Sequence, residues 1–243
     1  MNDQSKTLFV FADPHGCFTT MKAALDDAGF DPADPSHLLV CLGDLFDRGT
    51  ENEKVLDYLS DLPQKVLIRG NHDTRLSAIL KGAPIEGYDE TNGTAKTLTE
   101  LFGATAIADG RFHADETNDK LRKLRALLAS TVHYFEWGEY VFTHGWLPTD
   151  DGIPPTVLAD WRNATEEQWD AAEWSEWQQY YGAVAIPEDK TLVCGHRTSH
   201  LAHLFDPTRF SDDYSPFYGD HLIALDSGTP KSGIVNVLTL RAK

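Results

Sequence analysis

Cysteine is scarce in this 243-residue chain: only Cys17, Cys41 and Cys194 are present, an odd number without CxxC spacing. That excludes a disulfide framework or a thiolate zinc knuckle as the basis of the fold, and the three are expected to pack as small buried hydrophobes. Basic charge is also scarce, with 21 Lys and Arg against 38 Asp and Glu and a formal net charge of −17. A surface of that sign repels phosphate backbones, so nucleic-acid binding is not expected, and an anionic substrate would need local positive charge from arginines or metal ions. Long hydrophobic runs are missing too. Residues 1 to 6 are polar and 8-LFVFA-12 is too short for a signal core or a membrane span, so the expectation is a cytoplasmic protein with no membrane partner.

What is present is a hydrophobic content of 41%, enough to fill a core. The N-terminal part alternates apolar runs with helical segments, the pattern of βα units on a parallel sheet. Strands are expected at 7–12, 38–42 and 65–68, with helices at 18–28 and 51–59 and a third running from about Asp73 through Leu80. Further helices are expected at 95–102 and 116–130, where Leu121, Leu124, Leu127 and Leu128 recur at core spacing. A hairpin pairs 132–137 with 140–143, and strands at 191–194, 222–226 and 234–240 point to a second, more antiparallel sheet. The expected fold class is α/β, or α+β, with two sheets in one domain over 1–243. In 161–181 a Thr165/Gln168 capping box precedes Trp174, Trp177 and Tyr181, which share one face if the helix continues. That stripe is expected to pack on a sheet. The alternative is an aromatic cap within 150–190, whose rings or Arg162 select the group attached to a substrate.

The chemistry lies at strand ends. Five apolar runs lead into 13-DPHG-16, 43-GDLFDRG-49, 70-GNHD-73, 144-HG-145 and 195-GH-196. In an open α/β sheet the C-terminal strand ends converge on one crevice, so these loops can share a site. Asp13 and His15, alternate residues, can project to one side and grip one ion. Asp44 offers a carboxylate able to bridge two cations, and Asn71, His144 and His196 add neutral oxygen and nitrogen donors. A donor set of O and N without thiolate suits Mn²⁺, with iron or Zn²⁺ as alternatives. Each piece alone is weak; the ordered set is specific.

That ordered set resembles the calcineurin-like metallophosphoesterases, in the branch with GDxxDRG and RGNH(E/D) that holds phosphoprotein phosphatases and diadenosine tetraphosphatases. The resemblance covers nearly the whole chain. It implies a four-layer α/β/β/α sandwich of two mixed sheets, one metal on Asp13, His15 and Asp44, and the other on Asp44, Asn71, His144 and His196. It also points to Asp47 as the carboxylate behind His72. Two departures stand out: Asp73 replaces the glutamate of the phosphoprotein phosphatases, and 195-GHRTSH-200 places Thr198 where many relatives carry a second histidine. Water, or less readily His200 or His203, would then complete the first metal.

The implied reaction is phosphoester hydrolysis on a phosphorylated protein or small molecule. Two cations about 3.5–4 Å apart clamp the phosphoryl group and acidify a bridging water. His72 is the proton donor to the leaving group, Asp47 orients it, and Arg48 clamps phosphate oxygens. Arg69 braces the GNHD loop. Phosphoserine, phosphothreonine or a small phosphomonoester is the leading substrate class and a symmetrical dinucleoside polyphosphate the alternative. A metal-binding interaction protein without catalysis is a third reading, which the Asp47, Arg48 and His72 set argues against.

Overall fold

Every position of 7-TLFVF-11 after the first is buried, because both faces of this strand are covered. In the computed structural model, which describes residues 6–203 and 213–241, Leu8 and Val10 face a core between two sheets, while Phe9 and Phe11 face helices. The first sheet contains β1 (Thr7–Phe11), β2 (His37–Cys41) and β3 (Lys65–Leu67). A short ribbon follows, β4 (Ile107–Ala108) with β5 (Arg111–Phe112). The second sheet contains β6 (Phe135–Trp137), β7 (Tyr140–Phe142), β8 (Thr191–Cys194), β9 (Phe217–Gly219) and β10 (Leu222–Ala224). The last strand, β11 (Leu238–Arg241), returns to the first sheet, giving the orders β11-β1-β2-β3 and β6-β7-β8-β10-β9.

Both sheets are mixed. β1, β2 and β3 run parallel and β11 antiparallel. In the second sheet the central β7, β8 and β10 are parallel, while only the flanking β6 and β9 pair antiparallel, so the sheet is less antiparallel than the sequence suggested. The hairpin signal was real, but the crossover through 144–190 brings β8 in alongside β7 with the same sense.

Helices cover the outer faces. Over the first sheet lie α1 (Phe18–Asp27), α2 (Asn52–Asp61), α3 (Asn71–Leu80), α4 (Gly87–Asn92), α5 (Thr94–Phe102) and α6 (Asp119–Ala129); the Leu121, Leu124, Leu127 and Leu128 stripe of α6 joins their core as expected. Over the second lie α7 (Glu166–Glu173) and α8 (Trp177–Tyr180), with Trp146, Trp161, Trp169 and Trp177 filling the interface. Two short helices complete the list, α9 (His200–His203) and α10 (Thr229–Ser232). The layers thus run α/β/β/α. No helix among the described residues is long and apolar enough to cross a membrane.

The 161–181 stripe divides where a continuous helix was expected. The chain leaves α7 after Glu173, where the Ser175 hydroxyl donates to the Ala171 carbonyl at 3.2 Å, and restarts at Trp177. Trp177 is 2% exposed and stacks on Phe217, whereas Trp174 is 56% exposed. Trp177 is therefore core, and Trp174 is free to serve elsewhere.

Candidate metal centre

All five motif loops meet at one edge of the sandwich, together with a sixth that follows β10. The chain accepts backbone strain to place them. Among the described residues eight non-glycine residues have positive φ, and six of these are Asp13, His15, Asp44, Asp47, Arg48 and His196. Each costs on the order of 1–3 kcal/mol, a strain that surrounding contacts must hold. The loops also approach one another more closely than side chains allow. A Cβ on Gly43 (φ 96°) would lie 2.6 Å from the Gly70 nitrogen, and one on Gly195 would lie 2.2 Å from an Asp13 carboxylate oxygen. Asp73 fastens the arrangement by accepting the backbone N–H groups of Gly70 and Asp44 at 2.9 Å and of Leu45 at 3.1 Å.

Asp44 lies at the centre. His15 Nε2 is 3.5 Å from Asp44 Oδ2, and His144 Nε2 is 3.4 Å from Oδ1. Asp44, His144 and His196 form one group with metal-binding spacing, and His15, Asp44 and His72 form another. Asn71 Oδ1 faces His144 Nε2 at 2.9 Å and His196 Nδ1 at 3.0 Å. The Asp13 carboxylate, expected on the first metal, accepts the backbone N–H of His196 at 3.0 and 3.1 Å, which ties the loop after β1 to the loop after β8, and it is not part of either of these two groups.

The donor chemistry fits divalent cations. His15 Nδ1 donates to the Phe46 carbonyl at 2.9 Å and His144 Nδ1 to the Leu42 carbonyl at 2.7 Å, which turns each Nε2 toward the crevice. Burial holds His15 and His196 down to about 3, so both rings are neutral near pH 7 and can offer lone pairs to a cation. Lone pairs of Asn71, His144, His196 and Asp44 then face one another, an arrangement that repels unless positive charge lies among them. On the other side, Arg48 supplies that charge, donating from Nη1 to His15 Nε2 at 2.9 Å and from Nη2 to His72 Nε2 at 3.0 Å.

His72 is also held from behind. Its Nδ1 donates to Asp47 Oδ2 at 2.7 Å, and Asp47 is fully buried with Thr94 and Thr97 donating to it at 2.6 and 2.7 Å. Burial lowers the His72 pKa, but the Asp44 charge and the Asp47 hydrogen bond outweigh it and the net shift is upward. Arg69 braces the GNHD loop from outside: its Nε donates to buried Glu173 at 3.0 Å, whose other oxygen accepts from Thr74 at 2.7 Å.

Other residues fall elsewhere. Arg162 pairs with Glu136 and lies 4.2 Å over the Trp161 ring, committed to the outer surface and not to the crevice. His200 and His203 face the backbone carbonyls of Asp213 and Ser215 at 3.2 and 3.0 Å, so neither replaces the histidine that Thr198 displaces. Sequence reasoning missed Asp226 and Asn92, which line the crevice with Asp44, Arg48 and His196; Trp174, expected in the sheet-packing stripe with a substrate cap as the alternative, lines it too. Asp226 could have been found: it follows β10 just as Asp44 follows β2. Burial and the Asp44 charge push its carboxyl up to about 6. Asn92 lies in a segment without periodicity and carried no signal.

The chain is similar to known proteins. A bis(5′-nucleosyl)-tetraphosphatase PrpE, asymmetrical, of Bacillus velezensis is 28% identical over 152 residues, covering 58% of this chain and 57% of its own length. A symmetrical bis(5′-nucleosyl)-tetraphosphatase of Aeromonas salmonicida is 40% identical over 80 residues, 32% of this chain and 29% of its own. The chain thus matches little more than half of these relatives at most. Among solved structures, one assigned as a diadenosine tetraphosphatase superposes with a TM-score of 0.57 at 17% identity, over 98% of this chain and 96% of the other. A cold-active protein-tyrosine phosphatase of a psychrophilic Shewanella does so with 0.54 at 15%, over 97% and 75%. These likenesses show a shared fold. The profile of the calcineurin-like phosphoesterases matches residues 6–224, and the chain belongs to that family.

Proposed function

We propose that this chain hydrolyses phosphate esters at a centre of two divalent cations, one held by Asp13, His15 and Asp44 and the other by Asp44, Asn71, His144 and His196. The observation that carries this reading is Asp44 ringed by imidazoles from separate strand ends, with the buried His72–Asp47 pair 2.7 Å apart beside it. Bound cations supply Lewis-acid polarisation of the phosphoryl group and acidify the attacking water. Manganese suits the mixed O and N donor set, and iron or zinc is compatible with it.

The protein's own groups do the rest. Arg48 presents a planar pair of N–H groups at the crevice and is the clamp for phosphate oxygens. Its contact with His72 Nε2 requires that nitrogen to be unprotonated. Transfer of Arg48 from the imidazoles to an anion frees His15 Nε2 for a cation. It also lets His72 take up the proton that Asp44 and Asp47 favour. His72 then hands this proton to the departing oxygen while Asp47 keeps the ring oriented. A protein that only held metal would need the ligands but not this buried pair.

The leading substrates are phosphoserine or phosphothreonine in proteins, or a small phosphomonoester. The names of the Bacillus and Aeromonas relatives support a second class, dinucleoside tetraphosphates. The test is turnover of phosphopeptides, small monoesters and dinucleoside tetraphosphates with Mn²⁺ or with chelator, by wild type and by His72→Asn. Metal-dependent turnover that collapses in the variant is expected. No turnover by metal-loaded wild type would sink the reading.

A further inference from the structure

Two cavities meet at His72. The first, of about 320 Å³, holds the charged groups, among them Asp44, Arg48 and His196. The second, also about 320 Å³, shares Asn71, His72, Asn92 and Trp174 with the first and continues past Tyr88 and Arg75. A group that protonates a leaving oxygen must stand next to it. When phosphorus lies in the first cavity, the leaving group therefore extends past His72 into the second.

We infer that the second cavity is a leaving-group subsite in which Trp174 and Tyr88 select a flat aromatic group. The inference rests on the phosphoesterase reading above and narrows it. Large hydrophobic side chains exposed among the described residues include only three aromatic ones, Trp174, Tyr88 at 43% and Tyr218; the first two line this cavity. Exposed rings concentrated at one cavity mark a binding surface.

Both rings are held before anything binds. The Arg75 guanidinium lies 4.9 Å from the centre of the Tyr88 ring, and it is fixed by Asp89 at 2.7 Å and by the Pro84 carbonyl at 2.7 Å. Trp174 directly follows Glu173, locked between Arg69 and Thr74, and its ring stands edge-on to His196 at 6.3 Å. Rigid rings lose little freedom on binding and favour stacking with a planar partner. An aliphatic leaving group such as serine would leave both faces wet. A phenol ring and a nucleoside base share the required chemistry and differ in their distance from phosphorus.

The test compares full-length wild type, Trp174→Ala, Trp174→Phe and Tyr88→Ala, loaded with Mn²⁺, on phenyl phosphate, a nucleoside 5′-monophosphate and glycerol 2-phosphate. The ratio of kcat/KM for an aromatic ester to that for glycerol 2-phosphate is expected to fall about tenfold in each alanine variant and to recover in Trp174→Phe. Loss on phenyl phosphate places the ring on the ester oxygen; loss on the nucleotide places it beyond a sugar. Variants that lower all three esters alike overturn the subsite. If wild type hydrolyses none of them, the phosphoesterase reading fails instead, and equilibrium dialysis of phenol and adenosine still decides the subsite. Binding by wild type that weakens in Trp174→Ala supports it, and equal or no binding overturns it.

Discussion

The two carboxylate oxygens of Asp13 accept the backbone N–H of His196, 183 residues away, at 3.1 and 3.0 Å. This contact joins the loop after the first strand of one sheet to the loop after a central strand of the other. Asp13→Ala leaves the His196 N–H without that partner, and a loss of about 1–3 kcal/mol in unfolding free energy is expected from urea denaturation. The variant is also expected to bind one metal equivalent fewer by elemental analysis. Full metal content would remove Asp13 from the proposed ligand set.

Replacing the proposed proton donor should separate chemistry from metal binding. His72→Asn is expected to lower kcat by roughly 10²–10⁴-fold while metal content stays unchanged. The loss should be smaller for phenyl phosphate than for glycerol 2-phosphate, because phenolate departs more readily without a proton. Equal losses on both esters would count against His72 as the acid.

The pKa of His72 offers a check independent of turnover. Burial opposes its charge, yet Asp44 and the Asp47 hydrogen bond raise it above the ordinary 6.5. A raised folded value means that the imidazolium contributes stability that is fully present below about 6.5 and is lost as pH rises through the folded value. NMR titration of the metal-free protein should show this elevation, and Asp47→Asn should bring the value down. A His72 pKa below 6.5 in wild type would remove the basis for its taking up a proton once Arg48 turns to an anion.

Glu173 connects the crevice to the aromatic rim. It is buried and accepts from both Arg69 and Thr74. Glu173→Ala strips both donors of their partner, with an expected cost of about 1–3 kcal/mol. Because Trp174 is the next residue, the variant should raise KM for aromatic esters more than it lowers kcat. Unchanged KM with lost stability would confine Glu173 to a structural role.

Much of this centre could be read from the chain because strand-end loops carry their function in short motifs. GDLFDRG and GNHD name Asp44, Asp47, Arg48, Asn71 and His72 directly, and hydrophobic periodicity placed the strands before them. Asp226 follows the same rule but stands alone after β10, with no neighbouring ligand type to mark it. The break after Glu173 was invisible because Trp174, Trp177 and Tyr181 keep helical spacing across it. The sense of the second sheet depends on how 144–190 crosses over, a tertiary outcome that local pattern does not encode. Tyr88 and Asn92 reach the second cavity through α4, a short helix whose sequence has no amphipathic period.

The buried acids Asp13 and Asp226, gathered around Asp44, carry one further consequence. Burial first, then the Asp226 and Asp44 charges, push the Asp13 carboxyl well above its usual range, and Asp226 is raised to about 6. Until cations arrive, the cluster therefore holds protons that free carboxylates would have given up. Loading the centre is then an exchange reaction in which metal enters and protons leave, so its affinity must climb with pH. In weakly buffered solution, adding Mn²⁺ should acidify the medium.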